Sequence, residues 1–149
     1  MSDDGSRVQL TRGSWDDRAS LVALYEAVGW TVYAADPDAL ARAVAGSDFV
    51  VAAVDGGRLI GLARCVSDDV SIVYIQDILV HPDHQRRGVG RALVQDVLDR
   101  YAHVRQKVLL TDDRPEQLRF YASLGFSNTA GLVSTPLNAF VRIEGVTLS

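Results

Sequence analysis

The sequence predicts an α/β (α+β) domain, a mixed central sheet flanked by helices, and three observations carry that prediction. Apolar runs with strand character alternate with stretches whose apolar residues keep helical spacing. Asp55-Gly56-Gly57 joins two strand runs as a hairpin turn. A third strand run, Ser71 to Val80, feeds a glycine-containing turn that opens a long helix. At 149 residues the chain reads as one domain, 1–149, large enough to bury a core without disulfide or metal staples.

Taken in order, Val8 to Leu10 reads as a short first strand. Ser14 with Asp17 three residues on has the spacing of a capping box, and Leu21, Leu24, Tyr25 and Val28 continue it as one helical face, ended by Gly29. Asp36-Pro37 starts a second helix, Asp38 to Ala45, stopped by Gly46. Phe49 to Val54 and Arg58 to Val66 are the hairpin strands, and Asp68-Asp69 marks the turn before Ser71 to Val80. From near Gly88 to Tyr101, Val89, Leu93, Val94, Val97, Leu98 and Tyr101 share one helical face. Lys107 to Thr111 is a short strand, and Pro115 suits the first turn of a helix running to Leu124 and closed by Gly125. Phe126 to Val133 and Leu137 to Ile143 read as a final strand pair, giving the order β-α-α-β-β-β-α-β-α-β-β.

Composition narrows the functional class. A hydrophobic content of 48% and a charged content of 23% are those of a globular protein. No apolar run approaches the ~20 residues a membrane helix needs, and the acidic N-terminus is no secretory signal. A single cysteine fits a reducing, cytoplasmic setting. A net charge of −4 argues against nucleic acid as the main partner, while the local cations Arg86, Arg87 and Arg91 suit an anionic ligand. His81 and His84 lack a third convincing ligand, so no metal is expected.

Chemistry concentrates in Gln85-Arg86-Arg87-Gly88-Val89-Gly90 and the following Arg91. The first amides of a helix have no internal partner and the helix dipole favours negative charge there. Glycine lets an anion approach the main chain, and arginines add charge-assisted hydrogen bonds. A dinucleotide fingerprint is excluded because its third glycine position is Leu93, and a Walker loop because no Gly-Lys-Ser/Thr triplet exists.

What remains, Gln-x-x-Gly-x-Gly behind a strand, resembles the GCN5-related N-acetyltransferases (GNAT family), as does Phe120-Tyr121-Ala122-Ser123-Leu124-Gly125-Phe126, which is similar to the family's Tyr-x-x-x-Gly-Phe signature. The resemblance is sharpest from Ile75 to Gly125 and implies acetyl-CoA as acyl donor, with splayed strands at Ser71–Val80 and Lys107–Thr111 admitting the pantetheine arm. It implies that Ile78, Leu79 and Val80 bind pantetheine through their backbone. Gln85, Arg86, Arg87, Gly88, Val89, Gly90 and Arg91 would bind the pyrophosphate. A bulge in the first of these strands would aim a main-chain N–H at the thioester oxygen. Tyr121 would hydrogen-bond the departing thiolate.

The amine must lose a proton, and Asp77 is the first choice to accept it, directly or through water, with Asp112 and Asp113 second. Trp30 and Tyr33 either wall an acceptor pocket or close the helix pair as core aromatics. Cys65 reads as a small buried residue. The expected activity is direct acetyl transfer to a primary amine of a small molecule. The alternatives are a protein or peptide acceptor and a non-catalytic acyl-CoA-binding domain. Pairing of two copies is expected, if anywhere, through Leu137–Ile143.

Overall fold

The structure, a computed structural model, describes residues 7–149 and divides into two compact units, one ending at Leu110 and the other spanning Thr111–Ser149. In the first unit the strands are β1 (Val8–Gly13), β2 (Phe49–Asp55), β3 (Arg58–Ser67), β4 (Ile72–Val80) and β5 (Gln106–Leu109). They form one sheet in the order β1-β2-β3-β4-β5, antiparallel throughout except for the parallel β4–β5 pair. The helices are α1 (Arg18–Ala27), α2 (Thr31–Ala34), α3 (Pro37–Ala45) and α4 (Val89–Arg100).

The alternation of β3 decides the layering. Leu62 joins Leu21, Leu24, Tyr25, Leu40 and Val44 in the core beneath α1–α3. Its neighbour Gly61 faces α4 instead, so closely that a Cβ there would stand 3.1 Å from Leu93 Cδ1 and 3.3 Å from both Val89 Cγ1 and the Leu79 carbonyl. Only glycine lets the start of α4 sit this near the sheet. The successive side chains of β2 behave likewise: Val50 and Ala52 join the α1–α3 core, while Phe49 stacks edge-on against Tyr101 at the end of α4, 6.0 Å between centroids.

Helix boundaries follow local chemistry with small corrections. The N-cap of α1 is Asp17, whose carboxylate accepts from the Ser20 amide, so Ser14 lies outside the cap. Asp36 caps α3 through the Ala39 amide, with Pro37 in the first turn. Residues Thr31–Ala34, between the first two expected helices, form a short helix of their own.

The second unit contains α5 (Pro115–Ser123), which starts on Pro115 and is followed by Gly125 at φ +92°. Tyr121 lies edge-on to Phe120 and to Phe126, at 5.0 and 6.0 Å. The final strand pair expected at Phe126–Val133 and Leu137–Ile143 does not form. Only a 3₁₀ turn, Thr129–Gly131, is regular there, and Val133, Leu137, Phe140 and Ile143 are exposed. Alternating apolar residues supply the face of a strand, but a strand exists only where another backbone accepts its hydrogen bonds.

Candidate active site

Two features of β4 coincide at one residue. Against β3 the ladder runs Gly61↔Val80 to Arg64↔Asp77 and resumes at Cys65↔Ile75, so Gln76 is the extra residue of a bulge. Against β5 the pairing covers Ile72↔Gln106 to Ile75↔Leu109 and stops. From Gln76 onward, therefore, β4 has β3 on one side and no strand on the other. On that side the alternate main-chain groups of Gln76–Val80 have no strand of the sheet to pair with. The side chain of Leu79 points into the core, while those of Ile78 and Val80 are half-buried.

The chain then turns through His81 and a 3₁₀ turn, Pro82–His84, into the loop before α4. The loop is tied down on three sides: His81 N–H donates to the Ile60 carbonyl at 2.7 Å, Gln85 Nε2 to the Val80 carbonyl at 3.1 Å, and His84 Nε2 lies 3.0 Å from Asp55 Oδ2. Gln85 thus spends its side chain on holding the loop. Arg86 takes φ +64° and Gly88 φ +82°, left-handed values that turn the backbone sharply twice within three residues. Gly88 is the N-cap of α4 and offers no side-chain acceptor, and the first turn holds no carboxylate. Beyond the adjoining residues no atom lies within 4 Å of where a Gly88 Cβ would be, so the space beside this residue is open. Arg86, Arg87 and Arg91 are exposed around it, Val89 is buried against the sheet and Gly90 is half-buried. Uncapped amides, a helix dipole and open space beside arginines make a cradle suited to a diphosphate.

The sequence model of the Acetyltransferase (GNAT) family matches residues 18–126. The chain belongs to that family. A GNAT-family acetyltransferase from Streptococcus pneumoniae TIGR4 has the same fold, with a TM-score of 0.74 and 28% identity, covering 91% of this chain and 99% of its own. An uncharacterized N-acetyltransferase, ycf52, of Gracilaria tenuistipitata var. liui is 30% identical over 80% of this chain and 66% of its own length. The L-2,4-diaminobutyric acid acetyltransferase of Nocardia farcinica is 34% identical over 59% of this chain and 48% of its own length. This GNAT chain therefore spans about two-thirds or less of these two relatives.

On the α1–α3 face of the GNAT sheet, Trp30 and Tyr33 gather around Tyr25 with ring centroids 5.7 to 6.3 Å apart. Both are half-buried, packed against the core yet reached by solvent. Tyr33 Oη accepts from Gln76 Nε2 at 3.3 Å, which ties this aromatic wall to the bulge. Asp77, the next residue, is 3% exposed. Its Oδ2 accepts from Arg64 Nε at 2.5 Å and from the Tyr25 hydroxyl at 2.9 Å. The expected proton acceptor is thus inside the core and already in an ion pair. Burial, and then the Asp77 charge, push the Tyr25 phenol well above its ordinary range, so its hydroxyl stays a donor.

In the second unit, burial and the Asp112 carboxylate push the Tyr121 phenol up to about 12. Asp112 is held below the usual carboxylate range by the Arg114 guanidinium, 2.9 Å away. Asp113 is exposed. Cys65 is fully buried, and burial pushes its thiol up to about 12, away from the thiolate form. Among the described residues no group of three or more His, Cys, Asp or Glu side chains could hold a metal.

Sequence reasoning missed Gln76, Arg64 and Tyr25. Tyr25 was indistinguishable from an ordinary core aromatic. Arg64 did carry a signal: a lone charge inside the apolar run Leu59–Val66 must find a buried partner, and Asp77 is the carboxylate of the neighbouring strand.

Proposed function

We propose that this chain is an acetyl-CoA-dependent N-acetyltransferase that transfers acetyl directly to a primary amine of a small molecule. The observation that carries the reading is the coincidence at Gln76 of the bulge and the end of the β4–β5 pairing, on the strand whose far end leads through one loop into an uncapped helix start. Free main-chain edge and anion cradle then lie along one path, as a long donor with a diphosphate at one end and a thioester at the other requires.

The donor supplies an activated acetyl carbonyl: a C–N bond forms, the C–S bond breaks, and the products are an amide and a free thiol. The amides at the start of α4, with Arg86, Arg87 and Arg91 around them, hold the diphosphate. The main-chain groups of Ile78 and Val80 that face away from β3 pair with the amide groups of the pantetheine arm, while Leu79, whose own groups turn to β3, fixes the strand between them. A main-chain N–H at the bulge polarises the carbonyl, which matters because such a donor counts only where negative charge develops.

Tyr121 stabilises the departing thiolate. With its phenol near 12 and an ordinary thiol near 8.5, complete proton transfer would be uphill by about 5 kcal/mol. Tyr121 therefore acts by hydrogen bonding, and the thiolate takes its proton from water. The amine proton also leaves to water, because Asp77 is committed to Arg64 and Tyr25. Trp30 and Tyr33 form the acceptor wall, where an aromatic face favours a small cation waiting to lose its proton. The Nocardia relative's name, a diaminobutyric acid acetyltransferase, supports an acceptor of this size.

The test is a thiol-release screen over small amines and over peptides with free N-termini or lysines, with a calorimetric titration of acetyl-CoA alongside. Release with a small amine and none with peptides is expected. Release with peptides alone would replace the acceptor class, and binding without release to any amine would leave an acyl-CoA-binding domain.

A further inference from the structure

The bulge at Gln76 sits where three buried polar side chains converge, and none of them is used by the reaction as described above. Arg64 and Asp77 are the last in-register pair before the ladder slips, and Cys65↔Ile75 is the first pair after it. Arg64 is 7% exposed and Asp77 3%; Tyr25 is fully buried. Arg64 Nη1 also makes longer contacts to Ser47 Oγ (3.4 Å) and the Ala43 carbonyl (3.5 Å), both near the end of α3. Four elements, α1, α3, β3 and β4, thus meet on one side of the slip.

The alternatives to this register show what the ion pair does. If the β3–β4 ladder kept the register of Cys65↔Ile75 along its whole length, Asp77 would stand opposite Ala63. Its carboxylate would then turn to the face where Gly61 meets Leu93 and Val89, and Arg64 would stay buried without its partner. If the register of Arg64↔Asp77 continued instead, Gln76 would face Cys65 in the core and Ile75 would stand opposite the exposed Val66. Each slip buries an unpaired polar group, and removing one partner of a buried pair is among the costliest changes a fold can suffer. A buried ionic group setting register is a known use of such pairs.

We infer that Arg64, Asp77 and Tyr25 form a buried clamp that holds the β4 bulge at Gln76, making Arg64 and Tyr25 positioning residues for acetyl transfer. The clamp also links the two sides of the site. Gln76 reaches Tyr33 in the aromatic wall, and Asp77 reaches Tyr25, which stacks on both Trp30 and Tyr33. Acceptor wall and carbonyl-polarising backbone are therefore held by one network. This deepens the functional reading above and rests on it.

The deciding variant is the double Arg64→Met/Asp77→Leu, which removes both charges at once and leaves no buried charge alone. Its melting temperature and coenzyme A affinity should stay near the parent's, the latter within about threefold, while kcat falls at least about tenfold. Amide hydrogen exchange at Asp77 and Leu79, whose N–H groups face β3 beside the bulge, should quicken by about tenfold or more, with β2 and the middle of α4 unchanged. Tyr25→Phe keeps both charges and should reproduce the change in weaker form, and it carries the test if the double variant does not fold. Exchange and kcat within about twofold of the parent in either folded variant would overturn the clamp. So would loss of the acid limb of the kcat–pH profile in Asp77→Asn, which would make Asp77 the proton acceptor. Exchange is read without any turnover, so a parent lacking activity would refute the functional reading and still leave the clamp decidable.

Discussion

Substituting Gly88 by asparagine and by aspartate separates the two contributions assigned to the helix start, backbone shape and charge. Gly88 occupies φ +82°, a conformation that costs most L-residues about 1–2 kcal/mol but that asparagine and aspartate tolerate better. A Cβ there meets nothing within 4 Å beyond the adjoining residues, so the protein does not block the substitution at its first carbon. The two variants are nearly isosteric and differ by one negative charge. A carboxylate about 5 Å from two phosphate charges costs about 2 kcal/mol at the dielectric of water and about 6 kcal/mol at an effective value of 20. Taking the lower figure, Gly88→Asp should bind acetyl-CoA at least about 20-fold more weakly than Gly88→Asn, and the gap should narrow at high salt. Thermal stability should run the other way, because a carboxylate at the positive end of α4 is favourable when no ligand is present. The measurement is a pair of calorimetric titrations at low and high salt with a melting curve for each variant. Affinities agreeing within about threefold would refute the argument that this turn holds an anion with its main chain.

Other outcomes follow from the same structure. Tyr121→Phe should lower kcat by about tenfold or more and leave acetyl-CoA affinity intact, as steady-state kinetics beside calorimetry would show. The Tyr121 phenol is raised above its unfolded value near 10, so its protonated form favours the fold below that pH and loses this as pH rises through about 12. Hence any alkaline fall in kcat below about pH 10 should persist in Tyr121→Phe. Gly61→Ala should lower the melting temperature by about 2–8 °C and weaken coenzyme A binding, since the added methyl pushes on Val89 and Leu93 and displaces the start of α4. Asp68 is held far below the usual carboxylate range, first by the Ser71 hydroxyl and then by the amides of Val70, Ser71 and Ile72. Its contribution should be complete above its unfolded value near 4 and lost as pH falls further, a dependence that acid titration of Asp68→Asn should lack.

The part of the site written in consecutive residues was legible without coordinates. The loop Gln85–Gly90, the helix behind it, the hairpin at Gly56-Gly57 and the helix opening at Pro115 all depend on turn chemistry, capping and periodicity. Each is local, so the residues that cause it lie beside the residues that show it. Even there the first cap is Asp17 and not Ser14, since the helix starts three residues further on than the capping-box spacing placed it.

What the sequence determined by itself was the order of elements from β1 to α5, the short α2 apart, and the local form of the loop that opens α4. Tertiary structure decided the rest: the slip at Gln76, the end of the β4–β5 pairing at Ile75, and the pairing of Asp77 with Arg64. It also left Phe126–Val133 and Leu137–Ile143 without the ladder their alternation suggested. Register and partner choice are relations between segments far apart in the chain, and a strand's own residues state which face is apolar but not which backbone lies beside it. Nothing in β4 itself states whether its carboxylate stays free or is taken by an arginine of the neighbouring strand. That competition is settled only when the sheet assembles.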